Sequence, residues 1–135
     1  MERIKSLLID DTSLKLLIIF IAVDVIFGIL RSIKEHSIAS TIGIDGIIRK
    51  VGMLVSILVC IFIDYLIDIN LIGFIPNEVI DIMPIKKVGI ASLFNTLYII
   101  FEILSIFKNM IRCELPIPKK LQIYLERILK EFTNE

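Results

Sequence analysis

The amino-acid sequence predicts an all-α membrane protein with three transmembrane helices and a C-terminal amphipathic surface helix. Two observations support this prediction. Long apolar stretches at about residues 14–30, 51–72 and 88–107 cover most of the chain, and its mean hydropathy is +0.88. Each stretch approaches the roughly 20 mostly apolar residues that a membrane-spanning helix needs. We therefore expect one membrane domain over residues 1–135, with short links between its spans.

The first apolar stretch follows Arg3 and Lys5, an arrangement that also begins secretory signal peptides. Asp10 and Asp11 interrupt this basic region, the stretch is long for a signal sequence, and no small-residue cleavage site follows it. The sequence therefore predicts a retained first span, over about residues 14–34.

The segment 37–46 is small and polar, and it contains Gly43 and Gly46. This composition predicts a loop or a short surface helix between the first two spans. Arg49 and Lys50 then mark the membrane edge of the second span, which we place at about residues 50–72.

The link between the second and third spans contains Pro76 and Pro84. A proline inside a helix removes a hydrogen bond and clashes with the preceding turn, so these residues prevent one continuous helix. We place the third span at about residues 87–110. Pro116 and Pro118 then separate it from the tail.

The tail at about residues 118–132 carries apolar side chains at helical spacing with basic residues between them. This pattern predicts an amphipathic helix that lies on the bilayer surface. The alternative, a solvated amphipathic tail, is about equally consistent with the pattern. On the first interpretation, four basic residues would bind lipid headgroups: Lys119, Lys120, Arg127 and Lys130.

The distribution of lysine and arginine near the span ends predicts the orientation of a multi-pass protein. The first link and the tail share one side, and together they hold ten basic residues: Arg31, Lys34, Arg49, Lys50, Lys108, Arg112, Lys119, Lys120, Arg127 and Lys130. The other side holds five: Arg3, Lys5, Lys15, Lys86 and Lys87. This bias predicts an N-terminus outside the cell and a C-terminus in the cytoplasm.

Each predicted span carries an acid within the membrane, namely Asp24, Asp64 and Glu102. Asp68 is close enough to a span end to be an ordinary interfacial charge. A charged side chain at the bilayer centre costs about 2.5–3.5 kcal/mol even on insertion scales, so the three acids need a polar partner, a proton or water. They and other polar or small residues at helical spacing are candidates for oligomerisation or for lining an aqueous lumen: Asp24, Gly28, Ser56, Asp64, Asn95, Glu102, Ser105 and Asn109. The alternative is hydrogen bonding within a static bundle, at about 0.6–2 kcal/mol per contact.

Other classes of function receive no support from the sequence. We find no metal-ligand spacing, no glycine-rich phosphate loop and no nucleophile beside a base, so we expect no enzyme activity, metal or cofactor. Lysine and arginine match aspartate and glutamate at 15 each, which leaves no basic field for a nucleic acid. The single histidine, His36, lies outside the apolar stretches, which disfavours a proton relay.

Three motifs resemble the toxin secretion and phage lysis holins, a family that includes the holin-like protein of clostridial toxin loci. The sequence 24–31 is similar to the family's Asp-x-x-x-Gly ending of the first span. The sequence 40–50 is similar to its serine-rich, glycine-containing loop. The sequence 102–109, followed by Leu115-Pro116-Ile117-Pro118, is similar to its Glu-x-x-Ser-Ile-x-x-Asn element and Pro-x-Pro exit.

The resemblance implies a holin that accumulates in the bacterial inner membrane, oligomerises there and forms lesions. The implied partners are membrane lipids, further copies of the chain, an endolysin or large toxin as released cargo, and an antiholin. The main alternative is a small accessory membrane subunit or channel of fixed stoichiometry. A second alternative is a fragment of a proton-coupled transporter.

Overall fold

The computed structural model describes residues 12–36, 40–85 and 87–133. All regular structure within these residues is helical, which confirms the predicted fold class. The elements are α1 (Thr12–Lys34), α2 (Ser40–Ile67), α3 (Asn77–Ile80), α4 (Ile90–Arg112) and α5 (Lys119–Thr133).

Three of the helices are long and apolar enough to cross a membrane: Thr12–Lys34, Gly43–Ile67 and Ile90–Arg112. At 1.5 Å per residue, even the shortest of them reaches about 34 Å, which exceeds the roughly 30 Å of a bilayer's hydrocarbon core. Their outward faces carry large exposed apolar side chains, for example Ile33, Leu66 and Ile100. Such faces suit contact with lipid.

Residues in the left-handed conformation follow the ends of all three long helices. His36, Asp68 and Glu114 have φ values of 49°, 54° and 54°, and lie after α1, α2 and α4 respectively. A left-handed residue is a common helix terminator because it turns the chain back towards the last carbonyl groups. Each of the three spanning helices therefore ends one or two residues before a left-handed residue.

Helix α4 is the centre of the bundle and packs against α1, α2 and α5. The contacts show that α1 runs parallel to α4, since Asp24 meets Asn109 and Lys34 meets Glu114. Helix α2 runs antiparallel to both. We call the end of the bundle with Lys34, Ser40 and Arg112 the tail side, and the opposite end the link side.

The second helix differs from its predicted form in two ways. The segment from Ser40 to Gly46 is the first part of α2, so the prediction of a loop or separate surface helix was wrong there. Lys50 does not mark the membrane edge either. Its side chain lies inside the bundle, and only 8% of the residue is exposed. The helix ends at Ile67, before the predicted limit of residue 72.

Candidate functional site

A cluster of charged and polar side chains lies between the three long helices. The Lys50 ammonium of α2 donates to Asp24 Oδ2 of α1 at 2.7 Å and to Glu102 Oε2 of α4 at 2.6 Å. The Asn109 amide of α4 donates to the other Asp24 oxygen at 3.0 Å. We call these four residues the core cluster, and all four are buried. One lysine thus connects all three spans.

The core cluster lies near the middle of the helices. Asp24 precedes Lys34 by ten residues, Glu102 precedes Arg112 by ten, and Lys50 follows Ser40 by ten. Ten residues of helix correspond to about 15 Å, which is half the thickness of a bilayer's hydrocarbon core. The charges therefore meet at a depth where lipid could not solvate them.

The cluster contains two carboxyl groups and one ammonium group. It is electrically neutral when one carboxyl group is protonated and carries a net negative charge when both are ionised. Charges removed from water are expensive, and their mutual attraction offsets this only when hydrogen bonds satisfy the remaining atoms. Here Lys50 and Asn109 supply those bonds. Removing Lys50 would leave two acids buried without their cation.

Sequence reasoning missed Lys50 as a member of this site. It was assigned to the membrane edge because it adjoins Arg49, and a basic pair usually marks such an edge. A usable signal was nonetheless present. Lys50 precedes Ile57 by seven residues and Asp64 by fourteen, and multiples of seven return to nearly the same helix face. That face is the inward one, since Ile57 is 1% exposed.

Two further polar contacts join α2 to α4 towards the link side. The hydroxyl groups of Ser56 and Tyr98 lie 2.8 Å apart and share a hydrogen bond. The Asp64 carboxylate accepts the backbone N–H groups of Ile90 at 3.0 Å and Ala91 at 2.9 Å. A carboxylate at this position satisfies otherwise unpaired donors and suits the positive end of the helix dipole. Asp64 thus anchors the start of α4.

The close approach of Asp64 to α4 depends on Gly89. A Cβ atom added at Gly89 would lie 2.8 Å from the carboxyl carbon of Asp64 and closer still to one of its oxygens. Side chains larger than hydrogen therefore displace the carboxylate. Gly28 differs, since a Cβ there would meet Asn109 Nδ2 at 4.0 Å, an ordinary contact distance.

Asn95 lies buried in α4, with 3% of the residue exposed. Neither its amide nitrogen nor its carbonyl oxygen has a hydrogen-bond partner among the described residues. Unsatisfied buried polar atoms are rare in folded proteins and call for a partner such as a bound water or another chain. Within the described residues, the buried Asn95 amide is therefore left without the hydrogen bonds that it needs.

A crevice of about 810 Å³ reaches the core cluster from the tail side, between α1, α2 and α4. Five of the predicted site residues line it: Asp24, Gly28, Glu102, Ser105 and Asn109. The structure therefore brings five of the eight candidates to one place. Ser56, Asp64 and Asn95 lie elsewhere on the helices.

The predicted headgroup-binding residues lie on α5. Lys119, Lys120, Arg127 and Lys130 are all exposed, whereas Leu125 is buried against the rest of the chain. Leu121, Ile123 and Tyr124 are also exposed, so α5 presents both apolar and basic side chains to its surroundings. Binding of these four residues to headgroups stays a prediction.

The turn between α4 and α5 is held to the end of α1. The Lys34 ammonium donates to Glu114 Oε2 at 2.8 Å and to the Cys113 carbonyl oxygen at 2.9 Å. The hydrogen bond and the charge of Lys34 lower the pKa of the Glu114 carboxyl group from its usual value. This contact ties the position of α5 to that of α1.

No group of three or more metal-ligating side chains occurs in residues 12–36, 40–85 and 87–133. Cys60 and Cys113 are free thiols. The fold and the core cluster therefore define a small multi-pass helical membrane protein with a charged interior.

Comparison with known proteins places the chain within this class. A model of the bacteriophage holin family matches residues 5–130, and the chain belongs to that family. This confirms the resemblance seen in the sequence motifs. Three apolar helices and the family together make it a multi-pass protein of the bacterial inner membrane.

Individual relatives come from clostridia. The chain is 37% identical over 130 residues to the holin-like protein TcdE of Clostridioides difficile, which covers 96% of this chain and 78% of TcdE. It is 30% identical over 125 residues to a 14.9 kDa protein encoded in the nagH 3′ region of Clostridium perfringens, covering 93% and 80% respectively. No solved structure matches the chain significantly.

Proposed function

We propose that the chain is a holin that oligomerises in the bacterial inner membrane and forms lesions there. Its membership of the holin family is the observation that carries this proposal. The released cargo would be an endolysin or a large toxin, and an antiholin is a candidate regulator. The proposal includes no catalytic step, since the lesion itself is the activity.

The buried polar groups give this function a physical basis. In the single chain, the charged groups of the core cluster pair with one another inside the bundle. The outward faces can therefore stay apolar, and the protein can dissolve in lipid. When chains are crowded, the same groups can take partners on neighbouring copies or contact water in a lumen. Asp24, Glu102 and Asn109 would be the first groups to do so, with Gly28 and Ser105 beside them and Ser56, Asp64 and Asn95 in support.

Expression with an endolysin that lacks its own export signal tests the proposed activity. We expect an abrupt stop in growth followed by lysis, because lesions admit the endolysin to the cell wall. The matched control expresses the endolysin alone. Slow toxicity without passage of the endolysin would contradict the proposal and favour an accessory subunit or channel of fixed stoichiometry.

We also propose an N-terminus outside the cell and a cytoplasmic tail. Lys50 is neutralised in the core cluster, so the comparison of basic residues becomes nine against five, and the bias keeps its direction. Single cysteines added at each end in a background without Cys60 and Cys113 test this orientation. Labelling of the tail by an impermeant reagent in intact cells before lysis would overturn it.

A further inference from the structure

We propose that the crevice binds the phosphate-bearing headgroup of an anionic phospholipid. This site is separate from the basic residues of α5, and it does not depend on lesion formation. The basic side chains in the crevice, its apolar walls and its depth in the membrane support this site.

Three basic side chains besides Lys50 line the crevice: Arg31 of α1, Arg49 of α2 and Lys108 of α4. Arg31 precedes the end of α1 by three residues, and Lys108 precedes the end of α4 by four. These distances correspond to about 5–6 Å along each helix. The two side chains therefore lie at the level where lipid phosphate groups meet the hydrocarbon core.

The charge at this level favours an anion. Glu35 is the one acid that lines the crevice above the core cluster, among the residues that the structure describes. It pairs with Arg31 at 3.1 Å, and half-exposed pairs of this kind within one helix contribute little stability, so a phosphate can compete for Arg31. The Arg49 guanidinium forms no ion pair or hydrogen bond with any described residue. Arg49 adjoins Lys50, and its charge acts on Glu102 of the core cluster as well as on any anion in the crevice.

The walls suit the glycerol and acyl part of a lipid. Apolar side chains from all three helices line the crevice, including Val25, Ile47 and Phe101. Gly43, Gly46 and Gly52 also line it, and a Cβ added at any of them meets no atom within 4 Å. These glycines therefore leave open space rather than permitting close packing with another helix. The volume of about 810 Å³ is typical of ligand pockets.

The crevice is also accessible from the bilayer. Helices α1 and α2 approach each other much less than either approaches α4, so close packing does not seal the gap between them. A ligand that enters from the side must be a lipid, and the three basic side chains select an anionic one. Basic pockets between transmembrane helices are known to bind such headgroups.

Native mass spectrometry of the purified full chain tests the site. The protein is equilibrated with equal amounts of phosphatidylglycerol and phosphatidylcholine that carry the same acyl chains, and the retained lipids are counted. We expect preferential retention of phosphatidylglycerol. The double variant Arg49→Gln/Lys108→Gln should lose about thirtyfold in that preference, given the usual contribution of each basic residue near anionic lipid.

The matched control is Lys15→Gln/Arg112→Gln, which removes the same charge from exposed positions outside the crevice and outside α5, and it should keep the preference. A second variant, Gly46→Leu, fills the crevice without changing charge and should also reduce retention. Circular dichroism confirms that each variant keeps its helical content. Equal retention of both lipids by the wild-type chain would overturn the proposal. So would a preference lost in the Lys15→Gln/Arg112→Gln variant but kept in the crevice variants, or displacement of the lipid by excess inorganic phosphate.

Discussion

The two halves of the bundle are held together by different interactions. On the link side, Leu14, Leu17 and Ile57 form a buried apolar cluster, and Asp64 fastens α2 to the start of α4. Towards the tail side, α2 is held by the ion pairs of Lys50, and an open crevice lies beside it. Apolar packing gives no reason to exchange partners in lipid, whereas polar groups do. The bundle should therefore open from the tail side.

Removal of Lys50 should have the largest effect on this arrangement. Lys50→Met leaves Asp24 and Glu102 buried without their cation, and breaking one partner of a buried ion pair typically costs about 3–5 kcal/mol. We expect much lower resistance to unfolding in detergent titrations. Arg49→Met is the matched control, because Arg49 is the adjacent, exposed basic residue. Equal resistance to detergent unfolding in Lys50→Met and Arg49→Met would contradict this role of Lys50.

Changes at Glu102 should have an intermediate effect and should bear on assembly. Glu102→Ala makes α4 more apolar, so the chain should still insert, but Lys50 loses one acceptor at a net cost of about 1.5–3 kcal/mol. We expect an altered distribution of crosslinked oligomers and an altered lysis time at matched membrane levels. Glu102→Gln keeps an acceptor and should be milder. If the alanine variant kept the wild-type oligomer distribution and lysis time, the face of α4 that carries Glu102 would not be the surface used in assembly.

A change on the link side should reduce stability without altering the core cluster. Gly89→Ala forces the Asp64 carboxylate away from the N–H groups of Ile90 and Ala91, and overpacking of this kind costs about 1–3 kcal/mol. Gly28→Ala is the matched control and should be tolerated, since its added Cβ has room. Thermal unfolding in detergent checks both. A larger loss of thermal stability in Gly28→Ala than in Gly89→Ala would contradict this description of the two glycines.

The smallest effect should come from pH at the turn before α5. Lys34 lowers the pKa of Glu114, so this contact is fully formed above the usual glutamate pKa of about 4.5 and is lost as pH falls through the lower value of the folded protein. A spin or fluorescent label on α5 should therefore report weaker attachment to α1 only in acid. Glu114→Gln should remove that pH dependence. If α5 of the Glu114→Gln variant still loosened in acid, the pH dependence would arise from a group other than Glu114.

The long apolar stretches made the three spanning helices and the all-helical fold predictable, because their length and composition leave few other structures in a membrane. The candidate site was predictable in part. Asp24, Glu102 and Asn109 stand out as polar residues within apolar spans, and the structure brings them together. Lys50 was not identified, since a lysine beside an arginine resembles a membrane boundary. The seven-residue spacing of Lys50, Ile57 and Asp64 placed the three on one face of α2, and the packing of α2 against α4 shows that this face is buried.

The charge of Lys50 holds α2 to the acids of α1 and α4. Reversing the charges tests it most directly, with resistance to detergent unfolding measured for Lys50→Glu, Glu102→Lys and the two changes together. Each single variant should be strongly destabilised, and the double variant should recover much of the lost stability, because opposite charges again meet in the core. A double variant no more stable than the worse single variant would contradict the claim.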